Sequence, residues 1–372
     1  SSDVCSSDLT QRVWQYVIPL SDFEMVTSLC TLLNSLLIPS NVGVSPIKRD
    51  LFEMYFMFAV MWSFGGALTA DKNKNYRESF DRFWRRIFAK DCPVFPEEGH
   101  ILDYCINNDS ASWETWETRT SPYVHNPDAP WGNIVVSTAD TTRLSFLMNS
   151  YIDMQLPVLF VGTGGTGKTT IIRDRVKNLK DEELQLTANL NSKTTAGALQ
   201  SILDAALEKK AGRVYGPPGS KKLIVFVDDL NMPFVDLYGT QAPIALLRQH
   251  IDYKSWYDRT KMTLKEVHNL QYLAAMNPTA GSFNINPRLQ RHFAVFACFF
   301  PSETSLKTIF SSIVTNVFGE FESGIVKMTD QLVTAAIELH KGVTDRFLPT
   351  AIKFHYQFNL REIGRASCRE RV

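Results

Sequence analysis

Pro157-Val158-Leu159-Phe160-Val161-Gly162-Thr163-Gly164-Gly165-Thr166-Gly167-Lys168-Thr169-Thr170-Ile171-Ile172 is the stretch on which the reading of this chain turns. Its apolar start reads as a short buried strand, and Thr170 to Val176 read as a helix start. Between them lies a complete G-x-x-x-x-G-K-[ST] spacing, and strand, glycine loop and helix in that order make a phosphate loop. The backbone of Gly162, Thr163, Gly164, Gly165, Thr166 and Gly167 is expected to turn its N–H groups around phosphate oxygens. The helix N-terminus adds its positive end. Lys168 is expected to reach the β- and γ-phosphates, and the Thr169 hydroxyl to ligate Mg²⁺. The alternative is a glycine turn without chemistry, and the correct flanks argue against it. The expectation is a nucleoside triphosphate site.

Such a loop needs an acid to hold the metal at the end of a neighbouring strand. Leu223-Ile224-Val225-Phe226-Val227-Asp228-Asp229 supplies an apolar run and then two carboxylates, sixty residues after Lys168. Asp228 is expected to hold Mg²⁺ through coordinated water, and Asp229 to polarise the attacking water. The bland alternative for the pair is a turn or helix cap. Asn277 follows another apolar strand, Leu273-Ala274-Ala275-Met276, and precedes Pro278. It reads either as an amide that orients water or as a turn asparagine. Arg288 and Arg291 stand in a loop from which an arginine could neutralise transition-state charge, here or in a neighbouring module.

Outward from this centre, both ends are set apart from the fold. Ser1 to Leu9 and Glu362 to Val372 resemble translated adapter sequence, so the chain is expected to be a piece of a larger protein. Without them, 36 basic residues face 35 acidic ones. A near-neutral balance gives no argument for nucleic acid or an anionic membrane as partner. Cys30, Cys92, Cys105 and Cys298 remain, widely spaced and with no C-x-x-C pair, which favours reduced thiols over a disulfide framework or zinc site. The most apolar run, Met54 to Leu68, has 15 uncharged residues. That is short of the ~20 that span a bilayer, so a buried helix is expected and no membrane segment.

From Thr10 to about Tyr123 the pattern is helical. Ser21 or Asp22 is placed to cap a helix carrying Met25, Leu29, Leu32 and Leu36, and a second helix follows Asp50. A third, around Phe80 to Phe88, has aromatics on one face and arginines on the other, read as a solvated face. Pro93 to Trp131 reads as an irregular linker, with Trp113 and Trp116 expected to bury against neighbours. Strands and helices then alternate to about Pro301, as in a parallel α/β sheet. Beyond Ser302 helices return, with Leu332, Ala336, Leu339 and Val343 as one expected stripe ending near Pro349.

Several blocks together resemble the dynein heavy chain family. They are the phosphate loop, Asp228-Asp229-Leu230-Asn231-Met232-Pro233, Tyr238-Gly239-Thr240-Gln241-Ala242-Pro243-Ile244, Leu246-Leu247-Arg248-Gln249 and Trp256-Tyr257-Asp258. Met276-Asn277-Pro278, Arg288-Leu289-Gln290-Arg291-His292-Phe293 and Phe354-His355-Tyr356-Gln357-Phe358-Asn359-Leu360-Arg361 extend the likeness. The resemblance covers essentially all of the trimmed chain. It implies the third AAA+ module of a motor ring in the axonemal style, preceded by the end of the second. The fold implied is an α/β P-loop AAA+ module, a parallel sheet flanked by helices, with a truncated helical lid. Expected boundaries are 10–123 for the helical end of the preceding module plus linker, 124–301 for the nucleotide-binding part and 302–361 for the lid, with 1–9 and 362–372 adapter-like.

The resemblance also implies roles. Asn277 resembles the sensor-one residue. Arg291 resembles an arginine finger acting on the preceding module's nucleotide, and Arg361 resembles the sensor-two arginine of the lid. Implied cofactors are ATP or ADP with Mg²⁺. Implied partners are neighbouring AAA+ modules and, through parts outside this chain, intermediate and light chains and microtubules. The implied location is the cytoskeleton of the cytoplasm, in a ciliary or flagellar axoneme. One departure stands out: active AAA+ members usually carry Glu where this chain has Asp229. A carboxylate misplaced by ~1 Å can lose on the order of 10²-fold in rate, so binding with slow, regulatory hydrolysis is expected. A nucleotide-holding strut without turnover, or a module of another AAA+ remodelling machine, is the alternative.

Overall fold

The computed structural model describes residues 14–360 except 39–40, 42–48, 71–74, 90–94, 125–133, 280–284, 351, 354–355 and 357. In chain order come helices α1 (Asp22–Leu36), α2 (Arg49–Gly65) and α3 (Tyr76–Phe88), then strands β1 (Tyr104–Asn107) and β2 (Ser112–Thr115). Helix α4 (Ala139–Asp153) leads to β3 (Val158–Val161), and the glycine loop leads to α5 (Lys168–Lys177). Next are β4 (Glu183–Asn189), α6 (Ala196–Ala205), β5 (Glu208–Ala211), β6 (Val214–Gly216) and β7 (Lys222–Asp228). They are followed by α7 (Ala242–Tyr253), β8 (Ser255–Tyr257), β9 (Leu264–Val267) and β10 (Leu270–Met276). The short α8 (Pro287–Gln290), β11 (Ala294–Ala297), α9 (Glu303–Val317), α10 (Ser323–Lys327) and α11 (Thr329–Arg346) complete the series.

These elements divide into two units. One comprises Ser1–Thr115, Leu147–Val161 and Leu179–Ala297; the other comprises Trp116–Phe146, Gly162–Asn178 and Cys298–Val372.

The first unit is built on a parallel sheet ordered β11-β3-β10-β7-β4. Its inner strands carry the apolar runs 158–161, 223–227 and 272–276 because both faces are covered, as parallel sheets require. Leu159, Val225, Phe226 and Leu273 are fully buried, and each such side chain stabilises by roughly 1.5–3 kcal/mol. The edge strand β4 instead alternates, with Ala188 buried between exposed neighbours. A second sheet, ordered β5-β6-β9-β8, is mostly antiparallel and was not expected from the sequence. Its strands are short and carry charge, as in Glu208-Lys209-Lys210, so no apolar period announces them.

The helical part follows the expected pattern. Ser21 caps α1 by accepting from the Glu24 N–H, while the Glu24 carboxylate accepts from the Ser21 N–H at 2.8 Å, a reciprocal capping box. Helix α2 is apolar nearly all round and correspondingly buried. Among the described residues no helix is long and apolar enough to cross a membrane.

Two expectations need correction in this unit. Arg85 is not merely solvated: it pairs with Asp81 at 3.0 Å and donates to the Gly99 carbonyl at 2.9 Å. The supposed linker contains the β1–β2 hairpin. Aromatic packing orders it, with Phe95 against Trp84 (5.0 Å), Tyr104 (5.2 Å) and Trp113 (4.9 Å) between centroids.

In the second unit α9 and α11 pair through Leu306, Phe310 and Val314 against Val333 and Ile337. The expected stripe is therefore wrong by one helical position. Leu332 and Leu339 stand 47% and 68% exposed. Helix α11 carries two adjacent apolar faces, and the partner helix, which periodicity does not see, selects the one with the β-branched pair.

Candidate nucleotide-binding site

In the second unit the glycine loop closes around its own lysine. Lys168 Nζ donates to the carbonyls of Gly162 (2.7 Å) and Thr163 (2.6 Å) and lies 3.3 Å from Thr166 Oγ1. Its side chain is thereby held inside the loop, with the residue only 8% exposed. Gly165 and Gly167 have φ of 82° and 85°, left-handed conformations that glycine adopts without strain. Gly167 is the N-cap of α5 and no side chain caps that helix. The helix therefore presents its positive N-terminal end where an anion would lie. A Cβ on Gly164 or Gly167 would meet nothing within 4 Å, so the loop has open space of the kind a polyphosphate fills. The residues present fit a nucleotide.

In the first unit three expected residues share the carboxyl edge of the sheet. Asp228 ends β7 and Asn277 follows β10, its parallel neighbour. The Asp228 carboxylate accepts the Asp229 N–H at 3.2 Å, and its carbonyl accepts the Leu190 N–H at 3.0 Å. Asp229 has φ of 55°, a left-handed conformation in which Asp and Asn are enriched over longer side chains. The short acid at this position thus has a backbone reason as well as a chemical one. Asn277 Oδ1 accepts from Thr279 N–H (3.1 Å) and Oγ1 (2.8 Å). The amide is consequently a turn asparagine and also fixed in orientation, with its NH₂ the end able to serve a ligand.

Two residues that sequence reasoning left without roles tie this edge together. Asn231 Nδ2 donates to the Asn277 carbonyl at 2.9 Å. Buried Gln241 donates to the carbonyls of Pro233 (2.6 Å) and Asn231 (3.3 Å). Both lie inside the motif blocks quoted above, but a side-chain bond over 46 residues has no local signal.

Arg291 is elsewhere. It follows α8 and precedes β11, at the amino edge of a parallel sheet whose carboxyl edge carries Asp228 and Asn277. There it donates to Asp252 at 3.1 Å, and His292 contacts the same carboxylate at 2.7 Å. Burial alone would raise the Asp252 carboxyl, but the hydrogen bonds and charges of Arg291 and His292 outweigh it and hold it below the usual range. Arg291 is 48% exposed in its side chain, so solvent screens the pair. Asp252→Ala is expected to shift unfolding free energy by less than about 1 kcal/mol, read by urea titration. A larger loss would make Asp252 a structural anchor. Arg361 lies outside the described residues. Nearby, Leu360 packs on the α9–α11 core and Asn359 sits against Gly165.

A parallel sheet in this order, with a phosphate loop after β3, an acid closing β7 and an asparagine after β10, defines a P-loop AAA+ nucleotide-binding module. Residues 123–301 match the family described as P-loop containing dynein motor region. Residues 5–118 match the dynein heavy chain AAA lid domain and 332–367 an AAA+ lid domain. The chain is 44% identical over 358 residues to the ciliary dynein beta chain of Tripneustes gratilla, covering 95% of this chain and 8% of that one. It is 42% identical over 364 residues to dynein axonemal heavy chain 9 of Homo sapiens, covering 97% and 8%. It is 41% identical over 356 residues to the flagellar outer arm dynein beta chain of Chlamydomonas reinhardtii, covering 95% and 8%. The chain belongs to the dynein heavy chain family, spanning about 8% of the length of these relatives. Membership of its P-loop motor region implies nucleotide binding and neighbouring AAA+ modules.

Proposed function

We propose that this module binds MgATP or MgADP as the third AAA+ module of an axonemal dynein heavy chain, hydrolyses slowly, and tunes a minus-end-directed microtubule motor of cilia or flagella. The phosphate loop folded around Lys168 is the observation that carries the reading. The loop from Gly162 to Gly167 would cradle the phosphates and Lys168 would neutralise them. Thr169 and Asp228 would hold Mg²⁺, whose chemistry is to offset charge on the β- and γ-phosphate oxygens. Asp229 would polarise water, Asn277 would orient it, and Arg361 would act from the lid. Arg291 would serve the preceding module, a role supported by its place at the opposite sheet edge. The proposed division is 10–123, 124–301 and 302–361. Intermediate and light chains and microtubules would bind other parts of the heavy chain, and the site of action would be the axonemal cytoskeleton.

The test is single-turnover hydrolysis of prebound MgATP in a complete heavy chain whose first module is disabled, with Lys168→Ala as control. Turnover lost in the control supports the ATPase reading. Tight binding without turnover leaves a nucleotide-holding regulator, and equal binding in the control sinks the site. In the same assay Asp229→Glu is expected to raise the rate by roughly tenfold or more, because reach is restored. The left-handed backbone opposes the longer side chain, at a cost of about 1 kcal/mol. An unchanged or slower rate would overturn the reach argument.

A further inference from the structure

Of the block Phe354 to Arg361, the family resemblance gives a role to Arg361 alone, yet another of its residues lies on the phosphate loop. A Cβ built on Gly165 would lie 2.9 Å from Asn359 Cβ, 3.1 Å from its Cγ and 3.2 Å from its Oδ1. The Asn359 side chain therefore packs directly on the Gly165 backbone. The contact is particular to Gly165: the same position on Gly164 or Gly167 has nothing within 4 Å. Asn359 is itself held from both sides. Leu360 packs on the apolar core between α9 and α11. Phe358 lies 6.1 Å from Tyr356 between ring centroids, and Tyr356 lies 5.7 Å from Phe347 at the end of α11. A continuous line of contacts thus runs from the helix pair through Leu360 and Asn359 to a glycine at φ of 82°.

Glycine has more backbone freedom to lose than any other residue. A loop that must aim several N–H groups at one anion binds it better when its turn is already fixed. Asn359 suits that task because it is short and neutral. It presses on the loop without placing charge of either sign beside a phosphate, whereas a carboxylate of the same shape would repel one. We propose that Asn359 is a positioning residue of the nucleotide site, holding the Gly165 turn in its phosphate-binding form and coupling that turn to α9 and α11. The coupling rests on the nucleotide reading above; the holding does not.

The experiment follows hydrogen exchange by mass spectrometry in the full heavy chain, with and without MgADP, in peptides covering 162–169, α9 and α11. Without nucleotide, Asn359→Ala is expected to speed exchange in the loop about tenfold, the freedom of one backbone residue, with β7 and β10 unchanged. Unaltered loop exchange overturns the proposal. On addition of MgADP the unsubstituted chain is expected to slow in the loop and in both helices, and Asn359→Ala in the loop alone. Helices protected equally in both overturn the coupling. Asn359→Asp keeps the side chain's shape, and with it the slow loop exchange. Its charge is expected to raise the MgADP concentration for half-protection at least about tenfold at low salt and less at high salt. An equal midpoint places Asn359 away from the phosphates and overturns the proposal, a result that stands even where the alanine variant does not fold. Lys168→Ala separates the two readings. Protection by MgADP that survives in Lys168→Ala sinks the nucleotide site, while fast nucleotide-free loop exchange in Asn359→Ala still supports the holding role. Protection lost in Lys168→Ala, with Asn359→Ala behaving as the unsubstituted chain, sinks only the role of Asn359.

Discussion

Gly162→Ala is expected to destabilise the protein by about 3 kcal/mol and to abolish measurable nucleotide affinity, whereas Gly164→Ala, two residues on, is expected to change stability by less than about 0.5 kcal/mol. The two glycines look equivalent in the motif and are not equivalent in space. A Cβ on Gly162 would lie 2.2 Å from the Cys298 carbonyl oxygen and 3.1 Å from the Cys298 carbonyl carbon. Those are backbone atoms that cannot rotate away, so the strand-to-loop junction itself must shift. Lys168 Nζ donates one of its hydrogen bonds to the Gly162 carbonyl, and the displacement would therefore reach the lysine proposed to meet phosphate. Gly164 is exposed, has nothing within 4 Å of its ideal Cβ and does not need a left-handed backbone. Thermal unfolding and fluorescent-ATP titration of both variants make the comparison. Equal effects would show that the close approach to Cys298 is not what requires glycine.

Acidification is expected to weaken the fold through His250. This residue is 1% exposed; its Nε2 is 3.1 Å from the Val267 carbonyl and its Nδ1 is 2.9 Å from the Tyr272 hydroxyl. The pattern is that of a neutral ring that donates at Nε2 and accepts at Nδ1. Burial pushes its pKa down to about 4, helped by the nearby charges of Lys254 and His268 and opposed by the Val267 carbonyl. In the unfolded chain the same ring protonates near pH 6.5. The unfolded state then binds the extra proton, so stability is full above pH 6.5 and falls as pH drops toward 4. The loss approaches 3 kcal/mol at about 1.4 kcal/mol per pH unit. His250→Gln should flatten that slope in urea titrations between pH 4 and 6.5. An unaltered slope in the variant would move the titration to another group.

The parts legible in the sequence share a physical character. The phosphate loop is written in contiguous residues because one backbone turn makes it. Strands β7 and β10 are legible because both of their faces are covered, leaving the apolar runs 223–227 and 272–276. The capping of α1 by Ser21 and Glu24 is equally local. What escaped depends on distant partners. The β5-β6-β9-β8 sheet is short and charged, and Lys265 within it is held between Asp204 (3.4 Å) and Asp258 (2.9 Å), neither adjacent in sequence. The hairpin after Phe95 is organised by aromatics from three separate segments. The buried face of α11 is chosen by α9. At the site, motif residues announce Asp228 and Asn277, but only the strand directions set Arg291 apart from them.

The contacts between α2 and β11 bear on how such a chain can be cut. Residues 5–118 match a lid domain and 123–301 a motor region, yet apolar packing ignores that border. Ile18 and Ala67 share one buried cluster with Leu159, Val225 and Tyr272. The Ala297 N–H donates to the Gly66 carbonyl, Trp62 meets Phe296, and the Gln290 amide donates to the Pro19 carbonyl. Truncation at the family border would split a single core and strip the flank of β11. The folding unit here therefore extends across the border between the two matched families, and a cut made there leaves apolar surface bare on both pieces.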